Sequence, residues 1–160
     1  MKGYKNSINN MEEISLSRII NPEGSGKERT RLSKDVVLSI RELMRQAEPN
    51  EQSRDLAAFI ALALNEIAKT IESSVIAWEK RGYWVKADRF RMDWAWAEKL
   101  GNAMQQALSE ENWTDVAITS TQIAQKLMSI QIPLHHRLGT PWVGAWEALK
   151  KSSSNFKHAY

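Results

Sequence analysis

Apolar residues recur along this chain at steps of three and four in four separate stretches, the period of helices buried on one side. In the first stretch Leu32, Val36, Ile40, Leu43 and Ala47 form a stripe that Val37 and Met44 widen, predicting a helix from about Glu28 to Ala47. Pro49 forbids simple continuation, and Asn50 is placed to cap the next helix. The second stripe, Leu56, Ile60, Ala63, Leu64, Ile67, Ile71, Val75 and Trp78, predicts a helix from Glu51 to about Arg81. Gly82 then either ends that helix or kinks it, and the pattern is compatible with both.

The third stretch, from about Tyr83 to Ser109, carries Ala87, Phe90, Trp94, Ala97, Gly101, Met104 and Leu108 on one face. Ala97 and Gly101, one turn apart, leave room for a neighbouring helix to approach closely. A second stripe, Val85, Met92, Trp96 and Ala103, lies on the other side. A helix apolar on two sides is either central in its bundle or uses the second side for a partner. The fourth stretch starts at the capping residue Asn112, buries Trp113, Val116, Ala117, Ser120, Ile123, Ala124, Leu127 and Ile130, and stops at Pro133. A short helix is expected from about Pro141 to Lys150.

These elements, joined by short connections, predict an all-α protein: an antiparallel four-helix bundle with an N-terminal arm and a short C-terminal helix. The arm covers residues 1–27, the bundle 28–150 and a tail 151–160. The arm's clearest loop is Asn21 to Gly26, and its one apolar cluster is Ile14, Leu16, Ile19 and Ile20. Arm and tail are expected to be the least ordered parts. Only 7 glycines and 4 prolines interrupt 160 residues, which favours long helices over a strand-and-turn fold.

Composition narrows the chemistry. The absence of cysteine excludes disulfides, thiol catalysis and thiolate metal sites. The longest apolar run, Leu56 to Leu64, is far shorter than the roughly 20 residues that span a bilayer. The first ten residues lack the pattern of a secretory signal, so the expectation is a soluble, cytoplasmic chain without a membrane partner. A net charge of +3 is only mildly basic, whereas seven tryptophans are unusual.

No cofactor, metal or catalytic residue is indicated. Gly24-Ser25-Gly26-Lys27 lacks the earlier glycine and the hydroxyl residue after lysine that a phosphate loop needs. No Glu-x-x-His pair of a di-iron bundle occurs, and His135, His136 and His158 all lie outside the long helices. His135-His136 reads as a solvated or locally hydrogen-bonded turn. Ser33, Ser74 and Ser120 point toward core faces, where a hydroxyl usually bonds a carbonyl one turn back. A site assembled from groups such as Glu66, Asp93 and His135 would have to be built by the fold.

The densest chemistry runs from Trp78 to Trp94, where five basic and five aromatic residues interleave. Trp78, Phe90 and Trp94 belong to core stripes, and pairs such as Asp88 with Arg91 are expected along the helix. Arg81, Trp84, Lys86, Arg89, Met92 and Trp96 are left as the candidate ligand or partner surface. Two partners suit it: another protein, with a homodimer through the Val85, Met92, Trp96 side, or a nucleic acid or polyanion held by Arg81, Trp84, Lys86 and Arg89. A second basic patch, Lys27, Arg29, Arg31, Lys34, Arg41 and Arg45, is interleaved with acids and reads as a solvated face.

Overall fold

The computed structural model of the chain describes residues 22–157. It is all-helical, with five helices among the described residues: α1 (Pro22–Met44), α2 (Glu51–Lys80), α3 (Trp84–Ser109), α4 (Trp113–Lys126) and α5 (Ala145–Lys157). Helices α1 to α4 pack as a bundle, with α2 as its inner member against α1, α3 and α5. The α2 stripe is buried as its spacing predicts, Leu56, Ile60, Leu64, Ile67 and Val75 being fully enclosed. Gly101 sits where α3 crosses α2: a Cβ there would stand 3.1 Å from the Leu64 Cβ and 3.4 Å from the Ala61 carbonyl oxygen.

Gly82 breaks the helix rather than kinking it. It adopts φ +83°, a region closed to most side chains, and the Tyr83 and Gly82 amides bond the Trp78 and Glu79 carbonyls at 2.9 Å each. This is a Schellman ending, which satisfies the last carbonyls of α2 and turns the chain back. Asn50 caps α2 in a reciprocal box with Ser53, and Asn112 caps α4 through the Asp115 amide.

Helices α1, α4 and α5 have bounds that depart from the periodicity. Residues 22–26, expected as a loop, are helical. Pro22 suits a first helical position, and Ser25 is buried against α2 with its hydroxyl 3.2 Å from that of Ser73, so docking outweighs two helical glycines. Residues 1–21, with the Ile14 to Ile20 cluster, lie outside the described residues, as does His158.

Helix α4 ends at Lys126 instead of running to Pro133. The chain turns at Leu127 and folds back over α1, where Arg41 donates to the Ile132 carbonyl at 2.9 Å. Leu38, Leu56 and Trp142 make a second small core beneath this segment.

Helix α5 begins at Ala145 and continues to Lys157 rather than spanning 141–150. The Asp55 carboxylate of α2 accepts from the Trp146 amide at 2.9 Å and the Gly144 amide at 3.4 Å, which sets that start. Ala47 and Met44, expected on the α1 stripe, are exposed because α1 ends at Met44, and Ala117 is exposed on α4.

Candidate functional site

The α2–α3 turn and the first turns of α3 form the tip of the bundle. All seven tryptophans fall among the described residues, and only Trp84 is exposed, at 61%. Trp142 is buried and the other five are half-buried against the core. Trp84 is the first residue of α3, directly after the chain reverses. Tyr83, Val85 and Met92 are exposed beside it, Val85 at 75% and Met92 at 73%.

Trp96, expected on the same free surface, is half-buried and stacked on Trp94 with ring centroids 5.6 Å apart. The free apolar face of α3 is therefore Val85 and Met92, with Trp96 at its inner edge. A shallow cleft of about 610 Å³ opens beside it, floored by Trp78 and Phe90 and walled by Trp84, Lys86, Arg89 and Asp93.

Helix lengths account for this opening. At about 1.5 Å per residue, α3 spans about 39 Å and α4 about 21 Å. Helix α4 runs back from the α3–α4 turn and gives out near the level of Trp96. Among the described residues, the first three turns of α3 therefore have only α1 and α2 as helical neighbours. Arg29 of α1 closes part of the gap, its guanidinium 4.8 Å from the Phe90 ring centre and 5.9 Å from that of Trp94. It also donates to the Thr70 carbonyl and hydroxyl at 3.5 and 3.3 Å. Burial of this guanidinium, with no carboxylate within ion-pair distance among the described residues, lowers its pKa.

The cations of the tip divide sharply. Arg91 is consumed by structure: it bridges α3 to α2 through Glu79 at 3.1 Å and Glu72 at 3.7 Å, and pairs with Asp88 at 3.3 Å. Its hydrogen bond to Glu79 raises its pKa. Lys86 lies over the Trp78 ring at 4.4 Å. Lys80, Arg81, Lys86 and Arg89 have no ion-pair partner among the described residues, and all four are exposed.

The α1 patch is different. Arg31 pairs with Glu28 and Asp35, Arg45 pairs with Glu42, and Arg41 bonds main-chain carbonyls. Its arginines are engaged within the chain.

The fold thus brings Arg81, Trp84, Lys86, Arg89 and Met92 to one exposed end and moves Trp96 partly inward. It does not gather Glu66, Asp93 and His135: among the described residues no group of three or more His, Asp or Glu side chains is placed to hold a metal ion. Glu66 pairs with Lys69 at 2.7 Å, and the His136 ring accepts from the Leu138 amide at 3.2 Å within its own turn. Ser120 bonds the carbonyl of Val116 one turn back at 2.7 Å, whereas the buried Ser33 hydroxyl has no partner among the described residues.

No helix among the described residues is long and apolar enough to cross a membrane. Compared with known proteins, the chain matches no family model, no curated protein and no solved structure. Chemically, the tip offers apolar area, aromatic faces and unpaired cations.

Proposed function

We propose that the protein is a non-catalytic helical interaction module of the cytoplasm that self-associates through the outer face of α3. The observation that carries this reading is the pair Val85 and Met92, two large apolar side chains on one face in solvent, on the stretch of α3 that α4 leaves uncovered. Burying a Met or Val fully is worth roughly 1.5–3 kcal/mol, so leaving both in water beside Tyr83 and Trp84 favours a partner that covers them.

Sedimentation velocity over a range of concentrations tests it. The wild type is expected to shift toward the dimer as concentration rises. Met92→Glu is expected to weaken that association at least about tenfold, with unchanged helicity, because a charge would be buried at the contact. A wild-type chain that sediments as a monomer at every concentration sinks the reading.

A second reading is favoured by one specific observation. Four exposed cations, Lys80, Arg81, Lys86 and Arg89, surround Trp84 and Tyr83 without ion-pair partners among the described residues. That combination suits a single-stranded nucleic acid or another polyanion, with phosphates on the cations and bases on the rings.

A further inference from the structure

Turned by about 100° per residue, Val85, Arg89, Met92 and Trp96 fall within a sector of about 60° on α3, and Asp93 borders it on the Arg89 side. Arg89 and Asp93 stand one turn apart, at i,i+4 spacing. Neither has an ion-pair partner among the described residues, whereas neighbouring Asp88 and Arg91 pair with each other. This surface therefore carries one unspent positive and one unspent negative charge on the same flank, next to an apolar strip.

We propose that α3 pairs antiparallel with the α3 of a second copy about a two-fold axis level with Arg91, each Arg89 meeting the partner's Asp93. This rests on the self-association reading and adds its register. In an isologous contact the same patch serves both copies, and a residue two positions before the axis lies level with the one two positions after it. A two-fold axis perpendicular to both helices also keeps each flank on its own side. Arg89 and Asp93 share a flank, so the symmetry forms two equivalent ion pairs.

The same axis leaves Met92 about 3 Å along the helix from the partner's Met92. It also brings Val85 to within one residue of level with the partner's Trp96. Shifting the axis toward the N-terminus, so that Val85 opposes the partner's Met92, sets Arg89 beside the partner's Arg89 and Asp88 beside the partner's Asp88. Charge selects the first register. The partner helix then lies along the stretch of α3 that α4 does not reach. Three turns per copy is less than a standard interface, so the dimer is weak and concentration-dependent.

A charge exchange tests the register. Arg89→Asp gives a flank with two negative charges, and Asp93→Arg gives one with two positive charges. Each variant alone is expected to dimerise at least about tenfold more weakly than wild type, because like charges now face each other. Mixed in equal amounts, the two are expected to recover association to within about threefold of wild type, since the mixed dimer restores both pairs. The cysteine-free chain gives a clean second measurement. Met92→Cys is expected to oxidise to a disulfide dimer, while Val85→Cys, about 18 Å along the axis from its mate, is not.

If the wild type dimerises but mixing gives no recovery, or Val85→Cys cross-links as readily as Met92→Cys, the register is wrong while self-association stands. If the wild type stays monomeric up to about 1 mM and the face instead binds an oligonucleotide or a different protein, both fall. Circular dichroism of every variant separates loss of association from loss of fold, and all four substituted side chains are exposed.

Discussion

Asp35 stands inside α1 with only 4% of its surface in solvent and its carboxylate 3.3 Å from the Arg31 guanidinium. Burial pushes this carboxyl above its ordinary range, Arg31 opposes that, and the charge of Glu28 adds to it. A carboxyl whose folded pKa is raised binds more protons in the folded chain than in the unfolded one. Its contribution to stability is therefore present at low pH and lost as pH rises through the carboxylate range. Asp35→Asn removes this loss. Its stability relative to wild type is expected to improve between about pH 3 and pH 6, and to stay within about 1 kcal/mol of wild type at pH 7. Urea unfolding at several pH values measures the difference, and a variant whose stability relative to wild type falls as pH rises over that range contradicts the assignment.

The same scale shows why seven tryptophans were uninformative as a count. Trp78, Trp94 and Trp113 are half-buried as their stripes predict, but the exposure of Trp84 and the stacking of Trp96 on Trp94 depend on which helix is adjacent. That neighbour is not encoded in the local spacing.

Among the elements, α2 was readable nearly to the residue. Its stripe and its Asn50 cap are local signals that form as their chemistry demands, and of the stop and the kink that Gly82 allows the fold takes the stop. Helix α5 was not. Its first turn is held by Asp55, which bonds the Trp146 amide from 91 residues away, and no pattern near residue 145 announces that partner. A carboxylate at a helix start satisfies orphan amides and favours the helix dipole. Asp55→Ala is expected to cost about 1–2 kcal/mol and to speed hydrogen exchange across α5 by at least about fivefold relative to α2. Uniform exchange across both helices would show that Asp55 does not hold α5. The end of α4 has the same kind of cause, since the tether between Arg41 and the Ile132 carbonyl redirects the chain before Pro133 is reached.

For the whole molecule, charge placement matters more than its total. A net charge of +3 says little, but the fold spends the α1 arginines and Arg91 internally and leaves Lys80, Arg81, Lys86 and Arg89 together at the tip. Should a polyanion be the partner, a mixed single-stranded oligonucleotide is expected to bind at low salt. It should weaken by at least about tenfold between roughly 50 and 200 mM, as counterions cease to favour release. Trp84→Ala would lower affinity without changing that slope, because stacking involves no counterion. Fluorescence titration at three salt concentrations reads both quantities, and no binding at the lowest salt removes this reading.

By itself the sequence determined the helical class, the core faces of α2 and α3, the close crossing at Gly101 and the capped starts of α2 and α4. Each of these rests on contacts within a few residues or on a repeating period. Only the tertiary structure decided where α1 begins, where α4 ends and what starts α5, because those are set by groups distant in the chain. It also decided that α4 is too short to cover the first turns of α3. That mismatch in length, rather than any motif, is what leaves Val85, Arg89, Met92 and Asp93 on an open face.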